Sequence, residues 1–568
     1  MNLRIFPAMS AVCGIVLSTA AVSGADPLLR PTAVAGQRGM VVCVSPPAAE
    51  VGVAVLRGGG NAVDAATAVA LALAVTFPEA GNIGGGGFML IKPADAARES
   101  VCIDYRETAP AACRAETFVH ETAQFGPKTV GVPGTIRGLD SAHKQFGKLP
   151  WRELVLPAVT LARDGFPLDA GTARALNGLV EKHAAAFPEF ARVYRKPDVT
   201  AWQTGDILRQ PDLAATLQRL ADAGPDEFYA GRTAELLVDE IRRGDGFISF
   251  NDLRGYRAVS RKPVHGTYRG YDVYSSPPPS SGGTAIVTML NILETFPLQE
   301  YGRYDPRTLH LMTEAMRRAY ADRARYLGDP DFVEIPSHLT TKEHARRLAA
   351  TIVADRATPS REVALDIPLA DEGESTTHFS VIDADGMAVA NTYTLQNSYG
   401  SLVVVRGAGF LLNNEMTDFN WRPGVTDRMG RIGTPANVVA PGKRMLSSQS
   451  PTIVTRDGRT VLVTGSPGGR TIPNTVLNVL LNVLEFEMEL DAAVAAPRSH
   501  HAWFPDVLRV ESAAEDRDAA TLTQLRNWGH QVEAISGRQG DAHSILVRKG
   551  RVTGVADVRR AAATAVAE

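Results

Sequence analysis

The 568-residue chain is long enough for a large core or several domains. Its 59 basic and 62 acidic residues nearly cancel, which argues against nucleic acid or any other polyanion as a partner. With 45% hydrophobic residues, the composition is that of a soluble globular protein.

At the N-terminus, Arg4 precedes a mostly apolar run from Ile5 to Val22 and the small residues Ser23-Gly24-Ala25. This is the layout of a secretory signal spanning residues 1–25, so the expected location is periplasmic or secreted. Pro7, Ser10, Gly14 and Ser18 suit an uncleaved anchor poorly, and no other segment is long and apolar enough to span a bilayer. Removal of Cys13 leaves Cys43, Cys102 and Cys113, an odd number. A Cys102–Cys113 bridge and buried free thiols both remain open.

Asn61 is placed to cap a helix from Ala62 to about Val75, apolar on nearly all faces and therefore buried, with Asp64 near its positive end. Gly84 to Gly87 lead into an interior strand, Phe88-Met89-Leu90-Ile91. The absence of a following Lys-Ser/Thr favours close backbone packing over a phosphate loop. From about Trp151 to Ala349 helical patterns dominate. One helix carries Leu309, Met312, Met316 and Tyr320 on a single face and stops before Gly328-Asp329-Pro330, and Ser275 to Gly283 reads as a loop. Ala350 to Ser375 is polar and acidic, ending in the exposed linker Asp371-Glu372-Gly373-Glu374-Ser375. Strands are expected to dominate from Thr376 to about Thr464. Helix-rich and strand-rich parts in succession predict layered α+β packing.

Two hairpins organise the strand-rich part. His378–Ile382 and Met387–Thr394 flank Asp385-Gly386. A three-residue loop, Ala384-Asp385-Gly386, sets Thr376 opposite Thr394; a two-residue loop sets Thr377 there instead. The second hairpin, Pro451–Arg456 and Arg459–Thr464 around Asp457-Gly458, brings Ser447-Ser448 beside Pro467-Gly468. Gly468-Gly469 then precede a helix from about Pro473, where free N–H groups can hold an oxyanion.

A threonine hydroxyl needs an adjacent base to become a nucleophile, and no G-x-S-x-G motif is present. Cleavage before the threonine would expose an α-amine with a reference pKa of about 7.7–8.0, able to serve as that base.

Several motifs occur together and in order: Gly84-Gly85-Gly86-Gly87-Phe88-Met89, Asp104-Tyr105-Arg106-Glu107, Thr376-Thr377-His378, Leu412-Asn413-Asn414, Leu446-Ser447-Ser448 and Ser466-Pro467-Gly468-Gly469. From about Gly39 to the C-terminus the chain resembles the gamma-glutamyltranspeptidases, a family of N-terminal nucleophile hydrolases. The resemblance implies a four-layer αββα sandwich and self-cleavage between Ser375 and Thr376. Residues 26–375 would form a large subunit and residues 376–568 a small one, associated as a heterodimer within one αββα unit. It also implies Thr376 as nucleophile and, through its new amine, as base, with Thr394 orienting it and Gly468 and Gly469 forming the oxyanion hole. Arg106, Ser447 and Ser448 would bind the substrate α-carboxylate, and Glu415 and Asp418 the α-ammonium.

The implied donors are glutathione and other γ-glutamyl compounds, and the acceptors water, amino acids or peptides. Neither metal nor organic cofactor is implied. Gln396 stands where the family commonly has Asn, one methylene longer, in the part of the site that recognises the α-amino group. Phe419 to Gly433, with Trp421, resembles the family's lid loop. A cephalosporin (glutaryl) acylase on the same scaffold is the close enzyme alternative, and a catalytically silent peptide-binding scaffold the non-enzyme one. Asp383-Ala384-Asp385-Gly386 lacks the later ligands of a calcium loop, and His500-His501 lack zinc-site spacing and read as structural.

Overall fold

The computed structural model describes residues 31–364, 369–370, 376–422, 424, 431–432, 434–511, 519–535 and 539–568. The signal segment, the linker 371–375 and much of the lid segment (423, 425–430 and 433) lie outside them.

Two seven-stranded antiparallel sheets form the centre. The first has the order Val34–Gly36, Arg551–Val555, Ser544–Arg548, Arg459–Thr464, Thr452–Arg456, Tyr271–Ser275 and Val264–Tyr268. The second runs Thr564–Ala567, Met40–Cys43, Thr377–Ile382, Ala388–Thr394, Gly86–Lys92, Val101–Asp104 and Val259–Arg261. Side chains alternate between the faces of each strand, so each sheet has an inner and an outer apolar surface. Met40, Val42, Phe88, Leu90, Ile453, Val463 and Ile545 fill the space between the sheets. Outward-facing Val41, Met89, Ile91, Phe379 and Val381 pack under helices that include Ala62–Thr76, and Val273, Val454, Leu462 and Leu546 under Gly282–Leu293, Pro306–Tyr326 and Ile472–Leu484. This is the αββα sandwich.

The Asn61-capped helix is buried along its whole length and closed by a capping box with Asp64. The helix expected through Met312 and Met316 spans Pro306–Tyr326. Gly84 to Gly87 do pack closely: a Cβ on Gly85 would lie 2.0 Å from the Thr394 carbonyl oxygen. Cys43, Cys102 and Cys113 are buried free thiols, and among the described residues no helix is long and apolar enough to cross a membrane.

Three expectations need correction. The helical region also contributes Val259–Arg261, Val264–Tyr268 and Tyr271–Ser275 to the sheets, because these short alternating stretches find strand partners that a helical window hides. Between Thr394 and Thr452 the described residues carry only the two-residue strand Arg431–Ile432, isolated bridges and 3-10 turns; apolar content there serves loop packing rather than a ladder. In the second hairpin Arg456 pairs with Arg459, but a register shift at Val454/Thr455 sets Thr452 opposite Thr464. That extra residue shifts the extrapolated register by one, placing Ser448 level with Gly468.

Close approach of the sheets constrains the site from below. A Cβ on Gly465 would stand 2.3 Å from the His378 ring, and His378 contacts Thr392 Oγ1 at 2.8 Å and Ser380 Oγ at 3.1 Å. Burial drives the His378 pKa well below the ordinary range, with His543 adding to the effect, so the imidazole is neutral packing for the strand Thr377–Ile382. Gly465→Ala should therefore destabilise the protein by about 1–3 kcal/mol. Denaturant unfolding of the variant and wild type checks this; equal midpoints would contradict the tight contact.

Candidate active site

Strand pairing places the first two site residues. Thr377 pairs with Tyr393 and Ile382 with Ala388, and beyond the ladder the Asp383 N–H donates to the Met387 carbonyl at 3.0 Å. The loop is thus Ala384-Asp385-Gly386, with Gly386 at φ +92°. This register continues to Thr376 opposite Thr394, and the Thr376 hydroxyl donates to Thr394 Oγ1 at 3.5 Å.

Thr394 is itself held in place. Its Oγ1 accepts the Gln396 N–H at 2.7 Å and its carbonyl accepts Asn82 Nδ2 at 2.9 Å. Gln396 has φ +81°, a conformation costly for a non-glycine residue, and its Nε2 donates to Asp418 Oδ1 at 3.2 Å. The longer amide therefore still reaches the acid end of the site.

Thr376, Thr394, Gln396, Arg106, Glu415, Asp418, Ser447, Ser448 and Gly469 all line one pocket. Gly468 adjoins it, with φ +121°; a Cβ there would meet Thr471 Oγ1 at 2.5 Å. Gly469–Thr471 forms a 3-10 turn directly before the helix Ile472–Leu484, so the N–H groups at its start fall outside the turn's own hydrogen bonding. Arg106 is more enclosed than its sequence context suggests. Its Nη1 lies 2.7 Å from Glu415 Oε2 and 3.6 Å from Glu107 Oε2, Nη2 pairs with Asp418, and Nη2 donates to the Leu446 carbonyl at 3.3 Å. Arg106 thus meets both acids directly and sits against the chain leading to Ser447. A cation and carboxylates so close together match a zwitterionic α-amino acid end.

The gamma-glutamyltranspeptidase family model matches residues 48–567. The chain belongs to the gamma-glutamyltranspeptidase family. It is 44% identical over 535 residues to the glutathione hydrolase proenzyme of Escherichia coli (strain K12), covering 93% of this chain and 91% of that one. Among solved structures, a cephalosporin acylase from Bacillus halodurans aligns with TM-score 0.84 at 25% identity, covering 96% of this chain and 98% of that one. A gamma-glutamyltranspeptidase from Helicobacter pylori aligns with TM-score 0.53 at 38% identity, covering 55% of this chain and 91% of that one.

Within this family scaffold, three supporting residues went unassigned in the sequence. Asn82, just before the glycine run, bonds the Thr394 carbonyl and accepts the Gly85 N–H. Arg323 donates from Nη2 to Ser448 Oγ at 3.1 Å and from Nε to Ser281 Oγ at 2.9 Å, bracing the serine wall. Glu107, next to Arg106, adds a third carboxylate, buried like Glu415. Only its place beside Arg106 hinted at this role; the Asn82 and Arg323 contacts span distant segments. Trp421 does not line the pocket. It stacks on Phe118 with ring centroids 4.9 Å apart, and its Nε1 donates to the Met416 carbonyl at 2.7 Å. Among the other described residues, His310, Glu314 and His530 cluster closely enough to suggest a metal. Glu314, however, is paired with Arg317 and Arg318, two cations that oppose metal binding.

The acid cluster has a pH signature. Burial opposes the Arg106 charge, but Glu415, Asp418 and Glu107 outweigh this and push its pKa up. Burial raises Glu415 well above the usual carboxylate range and Glu107 to about 8, although Arg106 pulls both down. Folded Glu107 therefore keeps a proton that the unfolded chain releases. Its stabilising contribution is complete below the ordinary carboxylate pKa and is lost as pH rises through about 8. An α-ammonium favours the ionised carboxylates, so binding of glutamate should tighten between about pH 6 and 8, and Glu107→Gln should flatten that slope. Calorimetric titration at several pH values checks this; an unchanged slope in the variant would contradict it.

Proposed function

We propose that Thr376 is the residue with which this γ-glutamyltransferase and glutathione hydrolase cleaves γ-glutamyl amides. The observation that carries the reading is the Thr376–Thr394 hydroxyl contact at 3.5 Å in the same pocket as Arg106, Glu415 and Asp418. In the precursor, Thr376 Oγ1 attacks the Ser375 carbonyl. The C–N bond breaks, the α-amine of Thr376 is released, and water hydrolyses the resulting ester. The products are the large subunit, residues 26–375 after loss of signal residues 1–25, and the small subunit, residues 376–568, held together as a heterodimer. The Helicobacter pylori chain, matched over 91% of its length by 55% of this one, supports such a division.

In the mature enzyme the new amine takes the Thr376 hydroxyl proton, roughly a tenth to a sixth of it being neutral at pH 7, while Thr394 orients Oγ1. Arg106, Ser447 and Ser448 receive the α-carboxylate and Glu415, Asp418 and Gln396 the α-ammonium. The γ-carbonyl then lies at Thr376, and the Gly468 and Gly469 N–H groups stabilise the oxyanion. The amine product leaves with the proton, and the γ-glutamyl ester passes to water or to the amine of an amino acid or peptide. Glutathione is the donor that best fits this chemistry and the curated relatives. Export to the periplasm or outside the cell follows from the signal segment.

The structural likeness to a cephalosporin acylase raises a glutaryl donor as a second reading. A glutaryl group lacks the α-ammonium, so the acids around Arg106 would keep that one cation between them and forfeit the charge-assisted hydrogen bonds a second would bring.

The purified wild type should hydrolyse a γ-glutamyl anilide at least about tenfold better than a glutaryl anilide, given charge-assisted bonds of roughly 1.5–3 kcal/mol. Thr376→Ala should run as one uncleaved band on a denaturing gel and hydrolyse neither. Two subunit-sized bands from that variant, or a preference for glutaryl, would contradict the assignment.

A further inference from the structure

Besides Arg106, two arginines line the pocket that the mechanism above leaves unused, Arg323 and Arg470; Arg323 donates to Ser448 and Ser281 within the pocket wall. A run of contacts leads from the acid end to the nucleophile: Asp418 to Gln396, Gln396 to Thr394, and Thr394 to Thr376. Arg470 stands outside that run. It follows Gly469 in the chain, and both residues line the pocket with Thr376. Its backbone is held by the Tyr320 hydroxyl, which donates to the Arg470 carbonyl. Its side chain is anchored through Nη1, which donates to the Phe504 carbonyl at 3.0 Å. Arg470 is thus fixed at both backbone and side chain on the turn that begins at Gly469, in the lining of the same pocket as Thr376.

Arg106 and Arg470 differ in kind. Arg106 is enclosed by Glu415, Asp418 and Glu107 and suits a zwitterion. Arg470 projects from the turn that would polarise the γ-carbonyl. A donor fixed at its α end and polarised at Gly468-Gly469 must direct its departing amine away from Arg106, past that turn. In a dipeptide leaving group the carboxylate lies about 7 Å beyond the scissile nitrogen, at two residues of extended chain. A planar guanidinium is the side chain best matched to a carboxylate at that end.

We propose that Arg470 is a specificity-determining residue that binds the terminal carboxylate of the peptide leaving group, and of peptide or amino-acid acceptors entering by the same route. The site therefore selects carboxylate-bearing peptides and amino acids over neutral amines. This rests on the reading of Thr376 as nucleophile with the donor held at Arg106.

The test compares kcat/KM of the processed enzyme for glutathione, glutathione with its C-terminal carboxylate converted to the carboxamide, and γ-glutamyl-p-nitroanilide. Wild type should use the carboxamide roughly 10- to 100-fold less well than glutathione, the size expected for one charge-assisted contact. Arg470→Ala should lose about that factor on glutathione and less than about threefold on the other two, with Arg470→Lys intermediate. Equal use of acid and carboxamide by wild type would overturn the proposal, even if the variant failed to fold. So would an equal fall on all three substrates, which would make Arg470 a support for the turn alone. Wild type that cleaves none of the three would overturn the Thr376 reading and this proposal with it.

Discussion

Everything in the site hangs on the register of one antiparallel pair. Ala384-Asp385-Gly386 turns the chain so that Thr377 meets Tyr393, and one step further the two threonine hydroxyls come together. A shift of one residue would send Thr376 to the opposite face of the sheet. The pair lies inside the second sheet, bounded by Met40–Cys43 on one side and Gly86–Lys92 on the other. Neither strand can slip without breaking a neighbouring ladder. Asn82 and Gly85 then lock the Thr394 end from the edge of the pocket.

A buried charge imbalance is the second organising constraint. Arg106 faces three carboxylates, of which Glu107 and Glu415 are fully buried, and the cost of that burial appears as raised pKa values on those two. Such a cluster is poor material for stability but well prepared for a ligand that brings its own ammonium. The same αββα scaffold is found in a cephalosporin acylase, so the fold does not choose the donor. The reading proposed above places that choice in these few side chains.

Much of this was legible from residue patterns. The D-G turn and alternating strands restricted the first hairpin to two registers, and the glycine run signalled close packing, because both follow from local backbone sterics. The second hairpin was misread by one residue because a bulge at Val454/Thr455 depends on packing against the facing sheet, which no local pattern encodes. The long connection from Leu395 to Pro451 reads as strands in the sequence, since apolar residues that pack loops into the core look like those of a ladder. Asn82, Arg323 and Arg470 stayed hidden for a similar reason: each acts across a contact between distant segments. Resemblance, rather than spacing, separated Thr376 from Thr377, and the hydroxyl contact now adds a geometric reason.

The measurement that bears most directly on this account is the intact mass of the small subunit from purified wild-type protein. The account predicts a fragment that begins at Thr376 and ends at Glu568. A fragment beginning at Thr377, or a chain that remains whole, would contradict the central claim that Thr376 becomes a new N-terminus.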